Sequence, residues 1–245
     1  MLYRLTNMLG FFKRKALGRK KEVPIDSRKP LKQVSYVFID TELTGLNERT
    51  DSIISIGAIK MVEGRIELGD SFYSLVNPKS KIGSQSIFIH TITPSEVKKE
   101  RGFQAVLNEF LHFCGPNVLI GHCVAIDLGF INKEMKENLG SALPNPTLDT
   151  FVLYHWLWRK WPSEPVFSLP PHQVDLYRIA ASFGISSTGA HQALMDAFIT
   201  AQVFQRLIPW LERSGINDLE DLLRVGNPFG GGENRLSLPA QINNL

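Results

Sequence analysis

The sequence is poor in cysteine and has no long apolar run. Only two of its 245 residues are cysteine, Cys114 and Cys123, which is too few for a disulfide framework and favours a reducing compartment, the cytoplasm. No apolar stretch reaches the roughly 20 residues that a membrane-spanning helix needs. No acidic residue precedes Glu22. A secretory signal is not predicted, because the apolar stretch is short and precedes the strongest basic cluster, whereas a mitochondrial presequence shares this composition.

Charge is distributed unevenly along the chain, although the net charge is only +3. Residues 1–34 contain ten Lys/Arg and two Asp/Glu, so the remainder, with 17 basic and 22 acidic residues, carries a charge of −5. We therefore expect a basic, flexible arm over residues 1–33, a domain over residues 34–225 and a flexible tail over residues 226–245. The arm is interpreted either as a solvated segment or as one that binds phosphate backbones or anionic surfaces.

The domain has the pattern of a mixed α/β fold. Apolar, β-branched runs bounded by turn residues predict five strands, and apolar residues at helical spacing predict the helices between and after them. The predicted strands cover residues 34–40, 52–61, 65–76, 117–122 and 146–150. The predicted helices cover residues 93–100, 103–114, 127–139, 151–158, 174–183 and 190–207, and a final short pair ends at Gly226.

Carboxylates lie at the ends of several of these elements. Asp40 and Glu42 end the first strand, and because residues two apart point to the same face of a strand, both side chains enter one place. Asp127 starts the helix after the fourth strand, and Asp196 lies among apolar residues on a later helix. Like charges so close repel, and a cation would make them tolerable. Hard oxygen ligands suit Mg²⁺ or Mn²⁺ rather than zinc, and two such ions about 3.5–4 Å apart can clamp the attacking and leaving oxygens of a phosphodiester.

Three different motifs follow one another along the chain. The matching residues are Asp40, Glu42, Thr44, Gly45 and Leu46 in the first, Gly121, His122 and Asp127 in the second, and His191 and Asp196 in the third. Together they resemble the DEDD superfamily of 3′–5′ exonucleases, and within it the histidine-type, proofreading epsilon-subunit (DnaQ-like) family. The resemblance covers residues 34–211 and implies a ribonuclease H-like fold, a mixed five-stranded sheet flanked by helices.

The resemblance also implies a role for each site residue. The metal ligands for two Mg²⁺ or Mn²⁺ ions would be Asp40, Glu42, Asp127 and Asp196. Asp40 would be shared by both ions, and Asp127 would support the second, directly or through water. His191 would accept the proton of the attacking water. The residues that contact the terminal nucleotide would be Thr41, Leu43, Leu46 and His90.

The sequence departs from the family pattern only outside these carboxylates. Leu43 stands where the family often has Thr, Cys123 and Ile126 where it often has Asn and Phe, and Thr91 where it has Gly. Loss of the Asn removes hydrogen-bonding groups that could orient a neighbour. Thr91 adds a side chain where a close approach of the backbone to the nucleotide is expected.

Two further segments have alternative interpretations. The aromatic run at residues 154–161 is typical either of a base-stacking surface or, by its helical spacing, of a face that packs on the core, and we favour the core. Arg235–Ala240 (RLSLPA) resembles the clamp-binding peptides of bacterial replication proteins, and the alternative is an ordinary tail with two leucines.

These patterns predict a metal-dependent exonuclease that releases nucleoside 5′-monophosphates from single-stranded or frayed DNA 3′ ends, with a polymerase or a sliding clamp as partner. An exoribonuclease of the same superfamily is the alternative within this class, because the 2′-hydroxyl is sensed by a pocket shape that sequence does not show. The alternative outside the class is a catalytically silent nucleic-acid-binding module, which the intact carboxylates and His191 disfavour.

Overall fold

A five-stranded mixed sheet forms the centre of the computed structural model, which describes residues 25–229. Its strands are β1 (Tyr36–Leu43), β2 (Ile53–Val62), β3 (Arg65–Leu75), β4 (Val118–Gly121) and β5 (Thr147–Asp149), in the order β3-β2-β1-β4-β5. The first three strands pair antiparallel, whereas β4 is parallel to β1 and β5 is parallel to β4. The predicted mixed five-stranded α/β fold is therefore confirmed.

Helices cover both faces of the sheet. They are α1 (Ser84–His90), α2 (Pro94–Val97), α3 (Phe103–Cys114), α4 (Ala125–Leu139), α5 (Thr150–Lys160), α6 (Leu176–Ser182), α7 (Ala193–Arg213) and α8 (Leu219–Val225). The central strand β1 is buried on both sides, with Tyr36 and Phe38 in one apolar cluster and Val37 and Ile39 in the other. Burial on both faces explains why β1 is a continuous apolar run rather than an alternating one.

The observed elements depart from the predicted ones in several places. The helix predicted over residues 93–100 is the single turn α2 (Pro94–Val97), and the strand predicted to end at residue 40 continues to Leu43. Helix α1 was not predicted; it begins after Gly83 without a side-chain cap, so its local sequence lacks the usual start signal. The helix predicted to end at residue 207 continues to Arg213 through Pro209. Pro209 removes one backbone hydrogen bond, but Ile208 and Leu211 are buried, and their packing keeps the helix going. The predicted final pair is therefore the end of α7 and the single helix α8.

The aromatic run at residues 154–161 belongs mostly to the core. Tyr154 and Leu157 are buried, and Trp158 and Trp161 pack against the same cluster. The Trp161 indole donates to the Ser214 hydroxyl at 2.8 Å. These contacts agree with the core-packing interpretation that the helical spacing favoured.

The chain before β1 packs on the domain as far back as the structure describes it. Pro30 forms a β-bridge with Asp218, the Leu219 amide donates to the Lys29 carbonyl at 3.1 Å, and Leu31 is buried. Residues 27–31 of the arm that was predicted to be flexible are thus in contact with residues 217–220, at the start of α8. Residues 1–24 and 230–245, which include most of the basic arm and the RLSLPA segment, lie outside the described residues. Within residues 25–229, no helix combines the length and the apolar character needed to cross a membrane.

Candidate active site

Three carboxylates meet at the end of β1. Asp40 and Glu42 leave the same face of this strand, and Asp196 comes from the first turn of α7. One oxygen from each lies within 4.8 Å of the others. Glu42 and Asp196 are buried, at 9% and 5% exposed, and Asp40 is half-buried. The structure therefore brings together three of the four carboxylates that the sequence singled out.

Gly57 allows α7 to approach the sheet closely enough for this cluster to form. It lies opposite Asp40 in β2, and a Cβ atom at this position would overlap the backbone of Ala193 and Leu194. The first turn of α7 therefore rests directly on the β2 backbone and presents Asp196 to β1. The sequence analysis did not select Gly57, although a glycine inside a β-branched strand is a known signal of close backbone approach.

Asp127, the fourth predicted carboxylate, lies beside the cluster and is held by Thr41. The amide and the hydroxyl of Thr41 both donate to Asp127 Oδ1, at 2.9 and 2.6 Å. Asp127 is buried on the first turn of α4 and is not one of the three residues whose oxygens lie within 4.8 Å of one another. The Thr41 hydroxyl is engaged with Asp127, so its predicted contact with a nucleotide stays a prediction.

Burial raises the pKa of every carboxyl in this group, and repulsion by the neighbouring carboxylates raises those of Asp40 and Glu42 further. Burial is the largest cause for Asp40, followed by the charges of Asp127, Glu42 and Asp196. Burial and the charges of Asp196 and Asp127 raise the pKa of Glu42 to about 8. Burial raises the pKa of Asp127 to about 7 against the hydrogen bonds from Thr41, and it also raises the pKa of Asp196. A divalent cation would relieve the repulsion and let these groups ionise.

The donor atoms of the cluster fit such a cation. Asp196 Oδ2 accepts hydrogen bonds from Tyr177 and from the His191 amide. Its other oxygen, Oδ1, is buried without a partner among residues 25–229, which is costly unless a ligand satisfies it. All three clustered donors are carboxylate oxygens, the ligand type that Mg²⁺ and Mn²⁺ prefer.

His191 lies two residues before α7, with its side chain exposed to solvent. Its backbone has a φ of 64°, in the left-handed region that residues other than glycine seldom occupy. Its amide donates to Asp196 Oδ2 at 3.1 Å and contacts Tyr177 Oη at 3.2 Å. The backbone amide of His191, the predicted base, is therefore hydrogen-bonded to Asp196, one of the predicted metal ligands.

Tyr177 is a residue of this site that the sequence analysis missed. It lies on α6, its hydroxyl donates to Asp196 Oδ2 at 2.7 Å, and Oη is 3.2 Å from His191 Nδ1. The two rings pack edge to face, with centroids 4.9 Å apart. Its partners follow 14 and 19 residues later in the chain, so the local sequence around Tyr177 contains no signal of this role.

His90, at the end of α1, is buried near His191. Its Nδ1 accepts a hydrogen bond from the Ile92 amide at 3.0 Å, so the neutral ring has its hydrogen on Nε2. That nitrogen has no partner within the described chain. Burial, and then the nearby His191, lowers the pKa of His90. Leu43 and Leu46 are half-buried at the end of β1 and in the following loop, and contacts of these residues with a nucleotide stay predictions.

The second motif is held in place by Asp149 at the end of β5. Its two carboxylate oxygens accept the amides of Cys123 and Val124, both at 3.0 Å, and one also accepts that of Phe151 at 2.8 Å. Cys123 has a φ of 54°, so this turn needs an anchor. His122 Nδ1 lies 2.9 Å from the Thr150 hydroxyl, and burial lowers the pKa of His122 to about 4. His122 is therefore neutral at pH 7 and supports the turn that leads into α4.

Comparison with known families assigns most of the chain to exonucleases. The profile of the RNase_T family, described as exonuclease, matches residues 37–204. The DNA polymerase III subunit epsilon of Aquifex aeolicus is 33% identical over 193 residues, which cover 78% of this chain and 89% of that protein. A PolC-type DNA polymerase III of Clostridium perfringens is 35% identical over 170 residues, 69% of this chain. The chain spans only 11% of the length of that polymerase.

A solved exonuclease structure shares the fold. The zinc-bound form of the ExoI–ssDNA complex of E. coli superposes with a TM-score of 0.61 at 18% sequence identity. The superposition covers 74% of this chain and 43% of the E. coli chain. The agreement supports the ribonuclease H-like arrangement of the sheet and helices.

Proposed function

Since the chain belongs to the RNase_T exonuclease family, we propose that it hydrolyses DNA from the 3′ end and releases nucleoside 5′-monophosphates, with Mg²⁺ or Mn²⁺ as cofactor. The observation that carries this proposal is the meeting of Asp40, Glu42 and Asp196 within 4.8 Å, with His191 tied to Asp196 by its amide. Carboxylates that repel one another so strongly are typical of a functional site, because bound cations would offset their repulsion.

The carboxylates would hold two divalent cations. Asp40, Glu42 and Asp196 would form one set of oxygen donors, and Asp127, which is held by Thr41 next to Asp40 in β1, would support the second ion directly or through water. When bound, the cations supply positive charge that stabilises the charge developing on the phosphodiester. Thr41 keeps Asp127 oriented through two hydrogen bonds to a single oxygen, which leaves the other carboxylate oxygen for this task.

His191 would act as the general base. Its side chain is exposed beside the carboxylates, and a neutral imidazole has one ring nitrogen without a hydrogen, which can accept the proton of an attacking water. His90 lies close by with a free Nε2–H donor, which can bind an oxygen of the terminal nucleotide. Leu43 and Leu46, half-buried around the same strand end, provide apolar surface for the terminal sugar and base.

The named relatives support a role in DNA replication. One is a polymerase III subunit epsilon and the other a PolC-type polymerase III, and the similar solved structure contains single-stranded DNA. We infer that the chain acts in the cytoplasm on single-stranded or frayed 3′ ends, as a proofreader in trans or as a separate trimming enzyme. Contact with a polymerase or a sliding clamp belongs to the same proposal.

The test compares substrates that differ in one property. Single-stranded DNA labelled at its 5′ end, the same DNA with a 3′ phosphorothioate end, a duplex with a 3′ mismatch, and RNA of the same sequence are each incubated with Mg²⁺, Mn²⁺ or EDTA. We expect the unmodified DNA to shorten in a descending ladder with either metal, and the DNA with the 3′ phosphorothioate end to shorten more slowly. The released products should be nucleoside 5′-monophosphates. Faster degradation of the RNA would establish the exoribonuclease instead. Binding of all four substrates without cleavage in either metal would establish the silent module.

A further inference from the structure

Tyr177 has a set of contacts that no role in the hydrophobic core requires. Its hydroxyl lies 2.7 Å from Asp196 Oδ2, 3.2 Å from His191 Nδ1 and 3.2 Å from the His191 amide nitrogen. One side-chain oxygen therefore touches both the candidate ligand and the candidate base. The ring of Tyr177 packs edge to face with the His191 ring at an interplanar angle of 73°, so ring packing holds the imidazole in addition to the contact with its nitrogen.

Counting hydrogens fixes the direction of each contact. A phenol has one hydrogen to donate and two lone pairs to accept with, and an ionised carboxylate can only accept. A separation of 2.7 Å between the phenol oxygen and Asp196 Oδ2 needs a hydrogen between them, so the Tyr177 hydrogen points to Asp196. The lone pairs then face His191, where the amide is already a donor.

The same count determines the state of the imidazole. Because the Tyr177 hydrogen is committed to Asp196, the contact with His191 Nδ1 is a hydrogen bond only if Nδ1 carries the hydrogen. A neutral imidazole has a single ring hydrogen, so Nε2 is then bare. A bare Nε2 is the form of histidine that can accept a proton from water.

We propose that Tyr177 is a positioning residue that holds His191 in the Nδ1–H tautomer, with Nε2 free to accept a proton, while fixing Asp196 in the orientation of a ligand. This inference rests on the proposed function, because it assigns His191 the role of base. Tyr177 would act through His191 and Asp196, the two residues that its hydroxyl contacts, as the outer partners of ligating side chains commonly act.

Tyr177 also stabilises the backbone conformation of His191. A φ of 64° is unfavourable for a non-glycine residue, and the two acceptors of the His191 amide, Tyr177 Oη and Asp196 Oδ2, hold it there. His90 is the other titratable side chain near this ring, and its Nδ1 is occupied by the Ile92 amide. Tyr177 is thus the partner that orients the His191 ring within the described site.

The experiment removes only the hydroxyl. Tyr177→Phe keeps the ring packing against His191, and Tyr154→Phe is the matched control, because it removes a hydroxyl that contacts the carbonyl of Leu169 at 3.1 Å. Long-range ¹H–¹⁵N spectra of metal-free, ¹⁵N-histidine-labelled protein at pH 8 distinguish protonated from bare ring nitrogens, and the His191→Gln spectrum assigns the signal. Steady-state rates on single-stranded DNA with Mn²⁺ give kcat and KM.

We expect the His191 signal of the unmodified protein and of Tyr154→Phe to show the Nδ1–H tautomer, and that of Tyr177→Phe to shift toward Nε2–H. We expect kcat of Tyr177→Phe to fall about 10–100-fold with KM nearly unchanged. An Nε2–H tautomer in the unmodified protein, or equal kcat in the two Phe variants, would overturn the inference. An unmodified protein that cleaves no substrate would instead refute the proposed function, and the tautomer would still be measured.

Discussion

Replacing Glu42 with glutamine should stabilise the metal-free fold at neutral pH. The Glu42 side chain is buried at 9% exposed, and burial with the charges of Asp196 and Asp127 raises its pKa from an ordinary 4.5 to about 8. At pH 7 the unfolded chain has released this proton, whereas the folded chain retains it. The interval between pH 4.5 and pH 7, at about 1.4 kcal/mol per pH unit, corresponds to about 3 kcal/mol of lost stability. Glutamine keeps the shape and removes the ionisation, so it should restore about this amount.

The sign of the pH dependence follows from the same two pKa values. Below about pH 4.5 the Glu42 carboxyl is protonated in both states, and the substitution changes little. Between about 4.5 and 8 the folded state binds more protons than the unfolded state, so the stability of the metal-free protein falls as pH rises. Above about pH 8 both states are ionised and the difference becomes constant. Asp40, whose pKa is also raised by burial and by its neighbours, adds to the same trend.

Scanning calorimetry in EDTA at pH 5 and pH 7 measures this effect. A gain of about 3 kcal/mol should raise Tm by roughly 6–12 °C at pH 7 for a domain of this size, and at pH 5 the gain should fall below about 1 kcal/mol. Glu67→Gln, on the exposed edge strand β3, is the matched control and should leave Tm unchanged. Added Mn²⁺ should stabilise the unmodified protein more than Glu42→Gln. An unchanged Tm for Glu42→Gln at pH 7, or an equal gain at both pH values, would show that the raised pKa of Glu42 does not destabilise the metal-free fold.

Three further changes test the roles of His191, Thr91 and the basic arm. His191→Ala should lower kcat by about 10²–10⁴-fold while DNA affinity is kept, and an equal loss of affinity would make His191 a structural residue. Thr91→Gly should raise the free energy of unfolding in urea by about 1 kcal/mol, because Thr91 has an exposed side chain and a φ of 62°; a decrease would mean that the side chain supports the helix end. Deletion of residues 1–24, with seven Lys/Arg and one Glu, should weaken DNA binding and reduce its salt dependence. This deletion retains Leu31, which is buried in the domain. An unchanged salt slope would assign the basic arm to another surface.

The parts of the fold that could be predicted have local signals. Helix α3 begins and ends at the predicted residues, Phe103 and Cys114, because its apolar residues repeat at helical spacing along its whole length. Strand β1 was predicted because its apolar run ends in turn residues. The two carboxylates on this strand share a face by the geometry of any strand, so their proximity was also predictable.

The parts that could not be predicted depend on contacts between distant segments. Gly57 matters because the backbone of α7 rests on it, and Asp149 matters because it caps a turn 25 residues earlier. Tyr177 meets Asp196 across 19 residues. A single sequence contains no record of these distances, whereas the spacing of His191 and Asp196 is short enough to be seen along the chain.

Two departures from the family pattern coincide with unusual backbone geometry. Thr91 and Cys123 both have positive φ, 62° and 54°, and the resemblance places Gly and Asn at these positions. Gly and Asn are the residues that tolerate the left-handed region best. At both positions this chain therefore has a residue less suited to a positive φ, and the Asp149 carboxylate, which accepts the Cys123 amide at 3.0 Å, helps to hold the backbone there.

We propose that the carboxylate cluster at the end of β1 is a cation-dependent nuclease site. The most direct test is the rate of 5′-monophosphate release from uniformly radiolabelled single-stranded DNA, measured against Mn²⁺ concentration for the unmodified protein, Asp40→Asn and Asp70→Asn. Asp70 is an exposed carboxylate on β3 that pairs with Lys60 at 2.8 Å, so its variant controls for loss of a charge. We expect metal-dependent release by the unmodified protein and Asp70→Asn, and a rate at least about 10²-fold lower for Asp40→Asn. Equal rates for the two variants, or undiminished release by the unmodified protein in EDTA, would contradict this proposal.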